Sequence, residues 1–80
     1  MFSVKVKIPS TETNKLMKAN SVQDIVVYVT GQGKISGRFD LYWDGQKIGP
    51  NFQIEKAKGT PTFIVQEDSD GLYPYAANDV

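Results

Sequence analysis

Five side chains of this 80-residue chain have the clearest capacity to hold a ligand: Tyr28, Arg38, Tyr42, Lys34 and Lys47. Aromatic rings interleaved with cations on a sheet suit single-stranded nucleic acid, because the rings stack on bases and the cations neutralise phosphates. The same set also suits a second packing face beneath a helix or a chain end. A second group lies near the C-terminus. Leu72, Tyr73 and Tyr75 are costly to leave bare and form a candidate partner-binding tail.

Other motifs fall short. Gly31-Gln32-Gly33-Lys34 has the spacing that ends a phosphate-binding loop. However, Ile35 stands where Ser or Thr would hold magnesium, and the motif's first glycine is missing. A tight turn explains these residues better. Asp68-Ser69-Asp70-Gly71 opens like a calcium loop, but no closing Glu follows at the required distance. Asp24, Asp40 and Asp44 could pair as general acid and base only in a cleft, and none is predicted. The chain has no Cys and no His. Disulfides, thiolate or imidazole zinc sites and Ser–His–Asp or Cys–His catalysis are therefore excluded. We expect no enzyme, no cofactor and no metal.

Charge is divided along the chain although its sum is zero. Residues 1–66 carry nine basic and five acidic groups, a surplus of four positive charges. Residues 67–80 carry four acidic groups and no base. We expect a single β-domain over 1–66 and an acidic tail over 67–80. No signal peptide and no membrane-length apolar run is visible, so a cytoplasmic protein is expected, in the host cytoplasm if the source is viral.

The elements that must position these side chains follow from hydropathy alternation. Phe2, Val4, Val6 and Ile8 face one way and Ser3, Lys5 and Lys7 the other, which predicts a half-buried strand that Pro9 ends. Residues 10–20 are expected as a short helix or a loop, with Leu16 and Met17 sharing a face. Val22 to Val29 is apolar on both faces and is expected as a central strand, turning at Gly31–Gly33. A further strand is expected from Ile35 to Trp43.

Asp44-Gly45 is the strongest hairpin signal. A two-residue turn there sets Trp43 against Gln46, Tyr42 against Lys47 and Leu41 against Ile48. Continued, it sets Phe39 against Pro50, Gly37 against Phe52 and Ile35 against Ile54. Turn chemistry and apolar pattern agree on this register, and a slip of one residue would set core positions against polar ones. A loop at 57–61 and a last strand at 62–66 complete the chain.

The expected fold is mainly β: a five-stranded antiparallel sheet or open barrel of OB or SH3 type, with one short helix or loop after the first strand. The expected core is Phe2, Val4, Val6, Ile8, Ile25, Val27, Val29, Ile35, Phe39, Leu41, Trp43, Ile48, Phe52, Ile54, Phe63 and Val65. No family resemblance is specific enough to name. The expected function is a non-enzymatic binding module engaging a protein partner or its own copy. An inhibitor or structural accessory protein of a phage or mobile element fits this description. Single-stranded nucleic acid binding is the alternative.

Overall fold

The computed structural model describes residues 1–32 and 34–74. Two hairpins and one helix account for most of them. The first hairpin joins β1 (Phe2–Ile8) to β2 (Thr13–Ala19). Pro9–Thr11 form a single 3-10 turn, closed by the Glu12 N–H donating to the Pro9 carbonyl at 3.1 Å, with Glu12 left-handed at φ 54°. Seven residue pairs follow, from Ile8–Thr13 to Phe2–Ala19. The helix or loop expected at 10–20 is thus a strand. Leu16 and Met17 do not share a helical face. As neighbours on a strand they take opposite faces, which leaves Leu16 outside and Met17 against the core.

The second correction is larger. Val22–Gly31 is a helix, α1, where a central strand was expected. Its buried residues are Val22, Ile25, Val26 and Val29, spaced as one helical stripe. β-branched residues disfavour a helix by at most about 0.7 kcal/mol each. Burying such a side chain stabilises by about 1.5–3 kcal/mol, so the stripe wins. The N-terminus is signalled by Ser21 at the N-cap and Asp24 three residues on. The Asp24 carboxylate reaches back to accept the Asn20 N–H at 2.7 Å. Val27, expected in the core, is 55% exposed on the helix's outer side.

The second hairpin is as expected at its tip. β3 (Phe39–Trp43) and β4 (Gln46–Ile48) pair Trp43 with Gln46, Tyr42 with Lys47 and Leu41 with Ile48. Asp44 and Gly45 both have positive φ, 53° and 78°, as a primed two-residue turn requires. The pairing ends at Ile48, before Gly49-Pro50, and the longer register to Ile35–Ile54 does not form. Ile54–Lys56 make a short 3-10 turn, and β5 (Thr62–Glu67) follows.

The five strands form one open, mixed sheet in the order β2-β1-β5-β3-β4. It is not wholly antiparallel, because β1 and β5 run parallel at its centre, with Val6 beside Phe63. It does not close into a barrel, because β2 and β4 are its two edges. The order explains the helix. After β2 the chain must cross β1 and β5 to reach β3, three spacings of about 4.8 Å. β2 and β3 also run parallel to each other, so the connection must return the length of a strand as well, and α1 lies within it over one face. There its stripe packs with Val4, Val6, Ile8, Phe39, Leu41, Ile48, Phe63 and Val65. Trp43 and Phe52, both half-buried, extend the core toward Phe63 through ring contacts at 5.1 and 5.9 Å. Phe2, expected in the core, is exposed at the start of β1.

The segment expected to begin a tail stays on the domain as far as Tyr73. Residues 68–73 form a strap around the start of β3. The Asp68 N–H donates to the Arg38 carbonyl on the β5 flank, at 3.0 Å. On the β4 flank, Phe39 and Tyr73 exchange two backbone hydrogen bonds of 2.7 and 2.8 Å. Tyr73 thereby takes the place beside Phe39 that the sequence assigns to Pro50. Its ring is buried and stacks on Phe39 at 5.8 Å, and its hydroxyl donates to the Ile48 carbonyl at 3.0 Å.

Candidate docking face

The helix covers one face of the sheet, and the strand registers define what the other face carries. Residues that alternate with the core positions are Ser3, Lys5 and Lys7 on β1, Asn14, Leu16 and Lys18 on β2, and Thr62, Ile64 and Gln66 on β5. β3 adds Asp40 and Tyr42, and β4 adds Lys47. Paired neighbours run across it as Asn14, Lys7, Ile64, Tyr42 and Lys47. Beside that row lie Leu16, Lys5 and Thr62.

This face is apolar in patches and basic between them. Leu16 is 64% exposed and Ile64 39%, while Tyr42 is half-buried. Lys5, Lys7, Lys18 and Lys47 are all exposed. Lysine stems are themselves apolar, so Lys5 and Lys7 bridge the space between Leu16 and Ile64 while their charges stay in water. A cleft of about 370 Å³ opens on the β1–β2 side, with Lys5, Lys7, Asn14, Leu16 and Thr62 among its lining residues.

The five sequence-selected ligand residues are not brought together. Tyr42 and Lys47 are cross-strand neighbours, as the hairpin register implied. Tyr28 lies on α1 and packs against the core, because 22–31 is helix. Lys34 follows the helix, its N–H donating to the Val29 carbonyl at 3.2 Å. Arg38 precedes β3 and holds the strap: Nε donates to the Gly71 carbonyl at 2.7 Å and Nη2 to that of Leu72 at 3.5 Å. Of the tail group, Leu72 is 41% exposed, Tyr73 is in the core, and Tyr75 lies outside the described residues.

The three aspartates likewise have separate roles. Asp24 serves the helix N-terminus and Asp44 the hairpin turn. Asp40 is buried under the strap, where Oδ1 accepts the Leu72 N–H at 2.9 Å and Oδ2 lies 3.5 Å from Lys47 Nζ. With the lysine half of that pair largely in solvent, the ion pair contributes at most about 1 kcal/mol. The carboxylate's main task is the strap.

Leu16 and Ile64 were not among the residues selected from sequence. For Ile64 a signal existed: in Thr62-Phe63-Ile64-Val65-Gln66 it alone is apolar on the polar side of the alternation. For Leu16 the misassigned helix hid it. In comparisons with known proteins, no family model matches the chain and no curated sequence matches it. Among the described residues, no helix is long and apolar enough to cross a membrane.

Proposed function

We propose that this chain is a non-enzymatic protein-binding module that docks its partner on the sheet face opposite α1. The observation that carries this is the pair of exposed aliphatic side chains, Leu16 and Ile64, on a face where alternation otherwise places polar residues. Scattered surface aliphatics are ordinary, and Val27 on the helix is one. Two on one sheet face, with the half-buried Tyr42 beside Ile64 and the stems of Lys5 and Lys7 between, offer apolar contact interspersed with positive charge. Such a surface suits a protein partner that brings apolar and acidic side chains to it. An inhibitory or structural accessory role, in the cytoplasm of a cell or of a host, is consistent with so small a module.

Single-stranded nucleic acid is the second reading, favoured by the four lysines of the face. Its weakness is the stacking platform. With Tyr28 on the helix, Tyr42 is the one aromatic ring on this face among the described residues.

Photo-crosslinking separates the two. A benzophenone side chain replaces Ile64 in one variant and Val27 in another, each expressed in the source cell. A protease-sensitive adduct is expected at position 64 and none at 27. Lys5→Glu with Lys7→Glu should reduce it. An adduct that nuclease removes supports nucleic acid instead, and equal adducts at both positions would refute a defined docking face.

A further inference from the structure

The edge strand β2 says more about the partner, on the premise that the chain is a protein-binding module. Among the described residues β2 pairs only with β1, so its seven residues end the sheet with a backbone edge to which none of them is paired. Such an edge is a template for another strand. Together β1 and β2 carry four lysines, Lys5, Lys7, Lys15 and Lys18, and no acidic residue. All four are exposed, and none lies within 4.0 Å of a carboxylate among the described residues.

The order of residues along this edge is selective. Lys15-Leu16-Met17-Lys18 places a cation on either side of two apolar residues. If a second copy paired antiparallel with Leu16 opposite Met17, Lys15 would stand opposite Lys18 at both ends. Like charges directly opposite one another destabilise a ladder, so a second copy is disfavoured in that register. A strand with an acidic residue, two apolar residues and an acidic residue meets the same four positions with opposite charge outside and apolar contact within. That pattern reads the same in both directions, so charge matching holds for parallel or antiparallel addition.

We propose that β2 accepts an extended acidic segment of a partner protein as a sixth strand, with the core pattern acidic–apolar–apolar–acidic. The backbone ladder supplies affinity, and side-chain contacts at alternate positions supply specificity. The carboxylates meet Lys15 and Lys18. The apolar residue opposite Leu16 reaches the cleft that Lys5, Lys7 and Leu16 line, and its neighbour lies beside half-buried Met17.

The test is an amide NMR titration at low salt with a blocked seven-residue peptide centred on Glu-Val-Val-Glu. The largest shifts and slowed exchange are expected at amides of residues 13–19. Lys15→Glu with Lys18→Glu should weaken this peptide about tenfold or more and create binding for one centred on Lys-Val-Val-Lys. N-methylation of the peptide's valine amides should abolish binding.

An N-methylated peptide that binds as well, or no binding at millimolar concentration, overturns strand addition. Displacement by oligothymidylate of equal charge overturns it in favour of a general polyanion site. Shifts confined to Leu16, Ile64 and Tyr42, without protection of β2 amides, overturn the edge while leaving the docking face standing. Shifts confined to α1 or the strap remove both.

Discussion

Replacing Tyr73 by Ala is expected to lower stability by about 3–5 kcal/mol, as for other buried aromatics cut to Ala. The chain's total is of order 4–12 kcal/mol at about 0.05–0.15 kcal/mol per residue, so this variant sits near unfolding. The size follows from what Tyr73 does. Its ring is buried and stacks on Phe39, and its hydroxyl donates to the Ile48 carbonyl. Tyr73→Phe keeps the ring and removes one buried hydrogen bond, while the Ile48 carbonyl keeps its ladder partner in the Leu41–Ile48 pair, which should cost about 0.5–1.5 kcal/mol. Urea unfolding at constant m-value measures both, and the order should be wild type, then Phe, then Ala. A Tyr73→Ala protein within about 1 kcal/mol of wild type would mean that the chain after β5 adds little to the fold.

Gly71→Ala should be nearly as damaging, for a steric reason. A Cβ at Gly71 would lie 2.6 Å from the Phe39 carbonyl carbon and oxygen and 2.7 Å from its nitrogen. β3 is held by β5 on one flank and β4 on the other, so the strap must lift instead. Lifting it costs the Arg38–Gly71 and Leu72–Asp40 hydrogen bonds and withdraws Tyr73 from the core. We expect a loss of about 2–4 kcal/mol, within the range of severe single substitutions. Because both variants act through the strap, Gly71→Ala combined with Tyr73→Ala should cost little more than Tyr73→Ala alone. Additive losses in that double-mutant cycle would contradict a strap that works as one unit.

Legibility in the sequence followed range. The turn at Asp44-Gly45 is a local event with a positive-φ requirement, and the pairs nearest to it came out in register, Tyr42 beside Lys47 included. The strand at 2–8 was legible because one wet and one dry face leave a period of two. Every position from 25 to 29 is apolar, so periods of 2 and 3.6 both fit, and the β-branched composition favours a strand. Tertiary burial of the 22, 25, 26, 29 stripe decided for helix. The helix carries Tyr28 away from the sheet, which leaves Tyr42 and Lys47 as the neighbours of the expected ligand set. The parallel pairing of β1 with β5 joins opposite ends of the chain, and no turn residue announces it. Tyr73 was recognisable as costly to expose, but its place beside Phe39 depends on β4 stopping at Ile48.

Everything functional rests on the sheet having one dry face and one wet face, with Leu16 and Ile64 on the wet one. Paramagnetic broadening of side-chain methyls by a soluble nitroxide measures this in the free protein. The methyls of Leu16 and Ile64 should broaden as Val27 does, while those of Val4, Val6, Ile8 and Val65 stay sharp. Leu16 and Ile64 methyls as well shielded as those of Ile8 would mean that the face is covered, and the docking surface proposed on it would not exist.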